Sequence, residues 1–187
     1  MSFRKLINRI PLWIREAVIM VALGAVILWV AGVIQRDGQR GAGGDGAGAE
    51  APAFALADVR DGQVWQLEKL RGKPVILSFW ATWCGACRAE LPELEAFWRQ
   101  VDSRYFVVTI SGENPQKLKE FSRRMGLTLP IANDLGGQVS AAYGVTVLPT
   151  TVIIDAEGRI SRSFAGAPHV DILEEHMRRL GAPARAP

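Results

Sequence analysis

Cys84 and Cys87 are the only cysteines in the 187-residue chain, and two residues, Gly85 and Ala86, separate them. One such pair cannot form a disulfide framework. A structural zinc site needs four ligands, and the only imidazoles, His169 and His176, stand seven residues apart rather than one helical turn. As an inert staple the pair would close a loop too short to constrain the unfolded chain. The reading that remains is redox chemistry. The run Trp83-Cys84-Gly85-Ala86-Cys87 follows an apolar stretch and opens a helical one. At a helix N-terminus the unpaired N–H groups and the dipole favour an anion, so the thiolate of Cys84 is stabilised there. Cys84, the accessible sulfur at the helix tip, attacks a substrate disulfide, and Cys87, turned inward, resolves the mixed disulfide. The alternative use of two soft thiolates is to hold Cu(I), recognisable by tight stoichiometric binding without disulfide turnover.

The elements that must position this pair follow from the pattern after residue 51. Residues 53–56 and 63–67 flank the turn signal Asp61-Gly62 and read as a hairpin. Residues 74–80 (PVILSFW) form an apolar run suited to a central strand. Residues 84–100 read as a helix with Leu91, Leu94, Phe97 and Trp98 on its inner side, and Pro92 removes an N–H from it and should kink it. Residues 105–110 (YFVVTI) are the next buried strand. Residues 115–125 form a helix between an Asn114 cap and a Gly126 stop, and residues 139–143 a shorter one. Residues 150–154 and 159–164 pair across the turn at 155–158, and residues 168–180 close the domain as a helix with Val170, Leu173, Met177 and Leu180 inward. Alternating strands and helices with one returning hairpin imply an α/β fold with a mixed central sheet flanked by helices.

The N-terminal part is different in kind. Residues 17–34 (AVIMVALGAVILWVAGVI) carry no charge, and as a helix would span roughly 27 Å, close to the hydrocarbon thickness of a bilayer. Trp13 and Trp29 lie near its ends. Arg4, Lys5, Arg9 and Arg15 precede it while only Arg36 and Arg40 follow closely. That asymmetry places residues 1–16 in the cytoplasm, residues 17–34 across the membrane as one transmembrane helix, and the rest outside. A cleavable signal peptide is the competing reading, but its apolar core spans only ~7–15 residues. Residues 35–51, with the core GAGGDGAGA, read as a flexible linker whose reach is about 20–25 Å. Residues 52–187 are the globular domain. The formal net charge of +3 is spread among acidic residues, which gives no reason to expect a nucleic-acid partner.

The segment SFWATWCGACRAELPEL, together with Val147-Leu148-Pro149-Thr150 about 60 residues later, resembles the thioredoxin superfamily. The similarity covers residues 52–180 and is greatest to the membrane-anchored, extracytoplasmic branch of TlpA-, ResA- and CcmG-type proteins. The resemblance implies a thioredoxin-like fold with an N-terminal β-hairpin extension. It implies that Pro149 is a cis-proline facing the disulfide, that the backbone at Leu148 pairs with a substrate strand, that Trp83 flanks the nucleophile, and that Glu90 tunes the cysteines. A solvated helix carboxylate is the plainer reading of Glu90, and a packing aromatic that of Trp83. Where cytoplasmic thioredoxins carry a buried Asp, this chain has Ser78, so proton transfer to Cys87 would fall to Glu90 or water. No cofactor or metal is implied. The implied partners are disulfide-containing proteins, such as those of cytochrome c or copper-site maturation, and a membrane electron-relay protein as reductant. The neutral Gly85-Ala86 pair, with Arg88 the nearest cation, argues for a reductant over a disulfide-forming oxidant.

Overall fold

The computed structural model describes Met20 and residues 22–24, 47–100 and 104–181. The expected span over residues 17–34 lies outside these except for Met20 and residues 22–24, which are helical. Among the described residues no helix is long and apolar enough to cross a membrane. The chain divides into two units, Met1–Ala42 and Gly43–Pro187, and the second holds both cysteines and every strand of the sheets.

The elements of this second unit are β1 (Ala55–Ala57), β2 (Val64–Gln66), α1 (Leu67–Leu70), β3 (Val75–Phe79), α2 (Gly85–Arg99), β4 (Phe106–Ser111), α3 (Pro115–Met125), β5 (Ile131–Asn133), α4 (Gln138–Ala142), β6 (Thr150–Ile154), β7 (Ile160–Ala165) and α5 (Val170–Arg179). Five strands form one sheet in the order β5-β4-β3-β6-β7. β3, β4 and β5 run parallel, β6 runs antiparallel to β3, and β7 runs antiparallel to β6, so the sheet is mixed. Every residue of β3 and β6 is buried, which is why both strands are written as unbroken runs without a polar face.

Alternation along β3 divides the core. Ile76 and Trp80 face a cluster holding Cys87, Leu91, Leu94 and Phe97 of α2, Leu118 and Phe121 of α3, and Leu173 and Met177 of α5. Val75, Leu77 and Phe79 face the opposite cluster with Phe54, Leu67 and Leu70. The helix ends are set by local chemistry. Asn114 Oδ1 accepts the N–H groups of Gln116 and Lys117 at 2.9 and 3.3 Å, a cap worth about 1 kcal/mol. Gly126 ends the helix at φ 66°, where a side chain would be strained.

The hairpin β1–β2 is a separate two-stranded unit, and Asp58 attaches it to the sheet. This buried carboxylate accepts from the backbone N–H of Arg60 and Ile131 and from the Arg60 guanidinium. Burial pushes its pKa up, but the bonds from Arg60 outweigh that and hold it below the ordinary value.

Several expectations change in detail. The hairpin strands are shorter, and Leu67, expected to end one, instead opens α1 and is fully buried. Trp98 is only half-buried, at the margin of the inner face. Pro92 lies inside α2, which extends on both sides of it. Gly48 to Ala51, expected as linker, pair with the β6–β7 turn and β7: Gly48 N–H donates to Ile160 O, Ala51 N–H to Gly158 O, and Ile160 N–H to Ala49 O. Small residues suffice here because the edge strand offers backbone partners, and pairing with them requires no side chain.

Candidate active site

The sequence writes β3 to end at Phe79 and α2 to begin at Gly85, and the five residues between them form the turn that carries Cys84, with Cys87 in the first turn of α2. Cys84 N–H donates to Ala81 O at 3.1 Å and closes that turn. Cys84 is then the N-cap of α2, with extended backbone angles, and its Sγ accepts the Cys87 N–H at 3.1 Å. The two sulfurs are joined as a disulfide, with Cα atoms 5.3 Å apart. The burial is asymmetric but narrow. Cys87 has no exposed surface and Cys84 is 7% exposed, so of the two only Cys84 reaches solvent. Only an edge of Cys84 reaches solvent, because the core of α2 draws the whole disulfide down against Ile76, Trp80 and Leu91. Trp83 is 70% exposed.

The Leu148–Pro149 peptide bond is cis. Thr150, the next residue, is in register with Phe79. The cis bond therefore stands beside the strand end from which the Cys84 turn departs. Pro149 is buried, and its carbonyl accepts from Gly166 N–H at 2.8 Å. Leu148 is half-buried and touches both core clusters.

Glu90 lies three residues after Cys87, on the same helix face. It is 7% exposed, so the solvated-carboxylate reading fails. Burial first, and the neighbouring Glu93 second, push its pKa from 4.5 up to about 7. The Thr151 hydroxyl is near enough to oppose this slightly, yet neither Glu90 Oε1 nor Thr151 Oγ1 completes a hydrogen bond among the described residues. Glu95, on the same helix and equally buried, behaves oppositely. It accepts first from the Thr128 hydroxyl, then from the N–H groups of Leu129 and Thr128 at 2.9 and 2.7 Å and from Arg99, and these bonds overcome burial and lower its pKa. Glu95 is tied into the fold, whereas Glu90 is a buried carboxyl with proton affinity to spare. Under α2 the sheet presents a row of hydroxyls in register, Thr109, Ser78 and Thr151. Thr109 donates to Pro130 O, and Thr151 is the hydroxyl beside Glu90.

Sequence reasoning did not find Thr151, nor Glu113, whose carboxylate accepts both the Thr82 N–H and the Thr82 hydroxyl, at 2.5 and 2.8 Å. No spacing rule links residues 31 positions apart; the only readable sign was a buried-strand hydroxyl in TTVII. The histidines take no part in the cysteine site: His169 pairs with Asp171, and His176 with the Ser161 hydroxyl. Among the described residues no group of three or more His, Cys, Asp or Glu is placed to hold a metal ion.

Against known proteins, residues 47–163 match the model of the AhpC/TSA family. The chain is 37% identical over 133 residues to the thiol-disulfide oxidoreductase ResA of Geobacillus thermodenitrificans, covering 70% of this chain and 75% of the relative. It is 33% identical over 132 residues to ResA of Bacillus subtilis, covering 70% and 73%. Among solved structures, a putative thiol:disulfide interchange protein DsbE from Chlorobium tepidum superposes with a TM-score of 0.63 at 28% identity, over 72% of this chain and 96% of that one. With a cysteine disulfide at a helix N-terminus, a neighbouring cis-proline and these relatives, the chain belongs to the AhpC/TSA family, among its thioredoxin-like thiol-disulfide oxidoreductases.

Proposed function

We propose that this oxidoreductase is tethered to the membrane by residues 17–34 and reduces protein disulfides on the extracytoplasmic side. The observation that carries the direction is the surroundings of Cys84: its sulfur meets a backbone N–H at the N-terminus of α2, with only Gly85 and Ala86 before Cys87. A thiolate favoured mainly by a helix terminus is only moderately stabilised, which suits a donor of electrons better than an acceptor. In the cycle, the Cys84 thiolate attacks one sulfur of a substrate disulfide and releases the other as a thiolate. Cys87, deprotonated in its turn, attacks Cys84 and frees the second substrate thiol. Two electrons have passed to the substrate and the Cys84–Cys87 disulfide has formed. Glu90, poised near neutrality, is suited to receive the Cys87 proton. A membrane electron-relay protein would return the pair to the dithiol. Disulfide-bearing polypeptides in transit to cofactor or metal insertion, apocytochrome c among them, fit this site.

Equilibration of the purified domain against glutathione tests the direction. The expected potential lies well below the ~−120 mV of the strongest oxidant of this fold, nearer the ~−270 mV of thioredoxin. A value close to −120 mV would reverse the assignment. The tether is tested separately: a reporter fused after Pro187 should be active only outside the cytoplasm, and the protein should stay in the membrane through carbonate extraction. Quantitative release of a soluble form would show that residues 17–34 are cleaved.

A further inference from the structure

The turn that delivers Cys84 to the helix tip is short and carries only one internal backbone bond, Cys84 N–H to Ala81 O. Within it Thr82 is buried, and its N–H and hydroxyl are both met by one side chain from another element. Glu113 Oε2 accepts the Thr82 N–H and Oε1 the Thr82 hydroxyl. The carboxylate is fixed from its own side as well. Asn133 Nδ2 donates to the Glu113 carbonyl at 2.8 Å, Asn114 begins α3 immediately after it, and Lys117 Nζ pairs with Oε1 at 2.5 Å. Gly112, just before it, has room for no side chain without pressing on Asp134 O, 3.1 Å from where a Cβ would sit. The β4–α3 loop is thus a rigid mount, and Glu113 is the arm it extends to the active-site turn.

We propose that Glu113 is a positioning residue for thiol-disulfide exchange, holding the Ala81–Cys84 turn so that the Cys84 sulfur stays at the N-terminus of α2. The inference rests on the reading of Cys84 as nucleophile. The bonds of the carboxylate run to Thr82 and Lys117, and its influence on the cysteines passes through Thr82. Two effects of removing it therefore oppose each other. Loss of a nearby negative charge lowers the Cys84 thiol pKa, whereas loosening the turn withdraws the sulfur from the helix N–H groups and raises it.

The test compares Glu113→Ala, which removes both acceptors, with Glu113→Gln, which removes the charge but keeps an amide oxygen for the Thr82 N–H and an NH2 for its hydroxyl. Both are made in the wild-type protein for turnover and with Cys87→Ala for titration of Cys84 by alkylation rate against pH. Glu113→Ala should raise the Cys84 pKa and lower kcat/KM for a model protein disulfide by roughly tenfold, the scale of a misplaced reacting group. Glu113→Gln should leave the pKa unchanged or lower and keep turnover within about threefold of wild type. Thr82→Val, which keeps the N–H but loses the hydroxyl, should fall between them and serves as the readout should Glu113→Ala fail to fold. A fall in the Cys84 pKa of both Glu113 variants alike would show a charge effect and overturn positioning. So would wild-type pKa and turnover in Glu113→Ala with only a lower melting temperature. An inactive wild-type protein in the same assay would instead refute the exchange reading itself.

Discussion

Cys84→Ala should reduce turnover of any disulfide substrate to the uncatalysed background, while Cys87→Ala should leave the first attack intact and accumulate mixed disulfides. The sulfur of Cys84 is the N-cap acceptor of α2 and the residue retains an edge of exposure, whereas Cys87 is wholly enclosed among Leu91, Ile76 and Trp80. A substrate disulfide can therefore be approached only through Cys84. In the reduced protein at mildly acidic pH, alkylation should mark Cys84 at least about tenfold faster than Cys87, since reactivity follows both thiolate character and access. Peptide mapping after a short pulse of alkylating agent reads the ratio. Equal labelling would sink the division of roles. Trapping with Cys87→Ala in the native membrane would also identify the substrate directly, because the mixed disulfide carries it.

Glu90→Gln should make the oxidised protein more stable at alkaline pH and leave it nearly unchanged at acidic pH. The sign follows from the direction of the shift. Burial and Glu93 raise the folded-state pKa from 4.5 to about 7, so the folded protein holds this proton more tightly than the unfolded chain. Below 4.5 the carboxyl is protonated in both states and contributes no pH dependence. As pH rises from 4.5 towards 7 the unfolded state releases the proton first, stability falls, and above 7 the loss is complete. The loss is at most about 3 kcal/mol, since 7% exposure leaves the carboxyl some water. Urea melts of the disulfide form at about pH 4 and pH 8, on either side of this window, measure it without interference from thiolates. A pH-independent difference between Glu90→Gln and wild type would mean that Glu90 ionises normally. In the reduced protein the same substitution should lower the thiol pKa values, because a carboxylate one turn from Cys87 opposes a second negative charge. It should also slow the resolving step, which loses its proton acceptor.

The chemistry was legible because it is local. A CxxC pair between an apolar strand and an amphipathic helix needs only consecutive residues to be recognised, and the helix terminus that activates Cys84 is a property of the backbone that comes after it. The strands β3, β4 and β6 were equally legible, since strands buried on both faces are written as uncharged, predominantly apolar runs. Short edge elements were not. The β1–β2 hairpin was readable only through its Asp61-Gly62 turn, while its strand ends and the paired segment Gly48–Ala51 are held by backbone hydrogen bonds and by Asp58, and neither leaves a periodic trace.

What only the tertiary structure decided is which polar groups meet across the sheet and which are left without partners. Nothing in their local sequence distinguishes Glu90 from Glu95. Both are glutamates on the α2 helix; one is raised by burial and by Glu93, the other meets the hydroxyl and N–H donors that precede β5 and is lowered. Likewise Thr82 and Glu113 are unremarkable until β3 and β4 lie in parallel register and bring the loops at their ends together. Residue type and helical spacing determine where a thiolate can form. The environment that sets its proton affinity depends on burial and on partners tens of residues away, and those exist only once the sheet has closed.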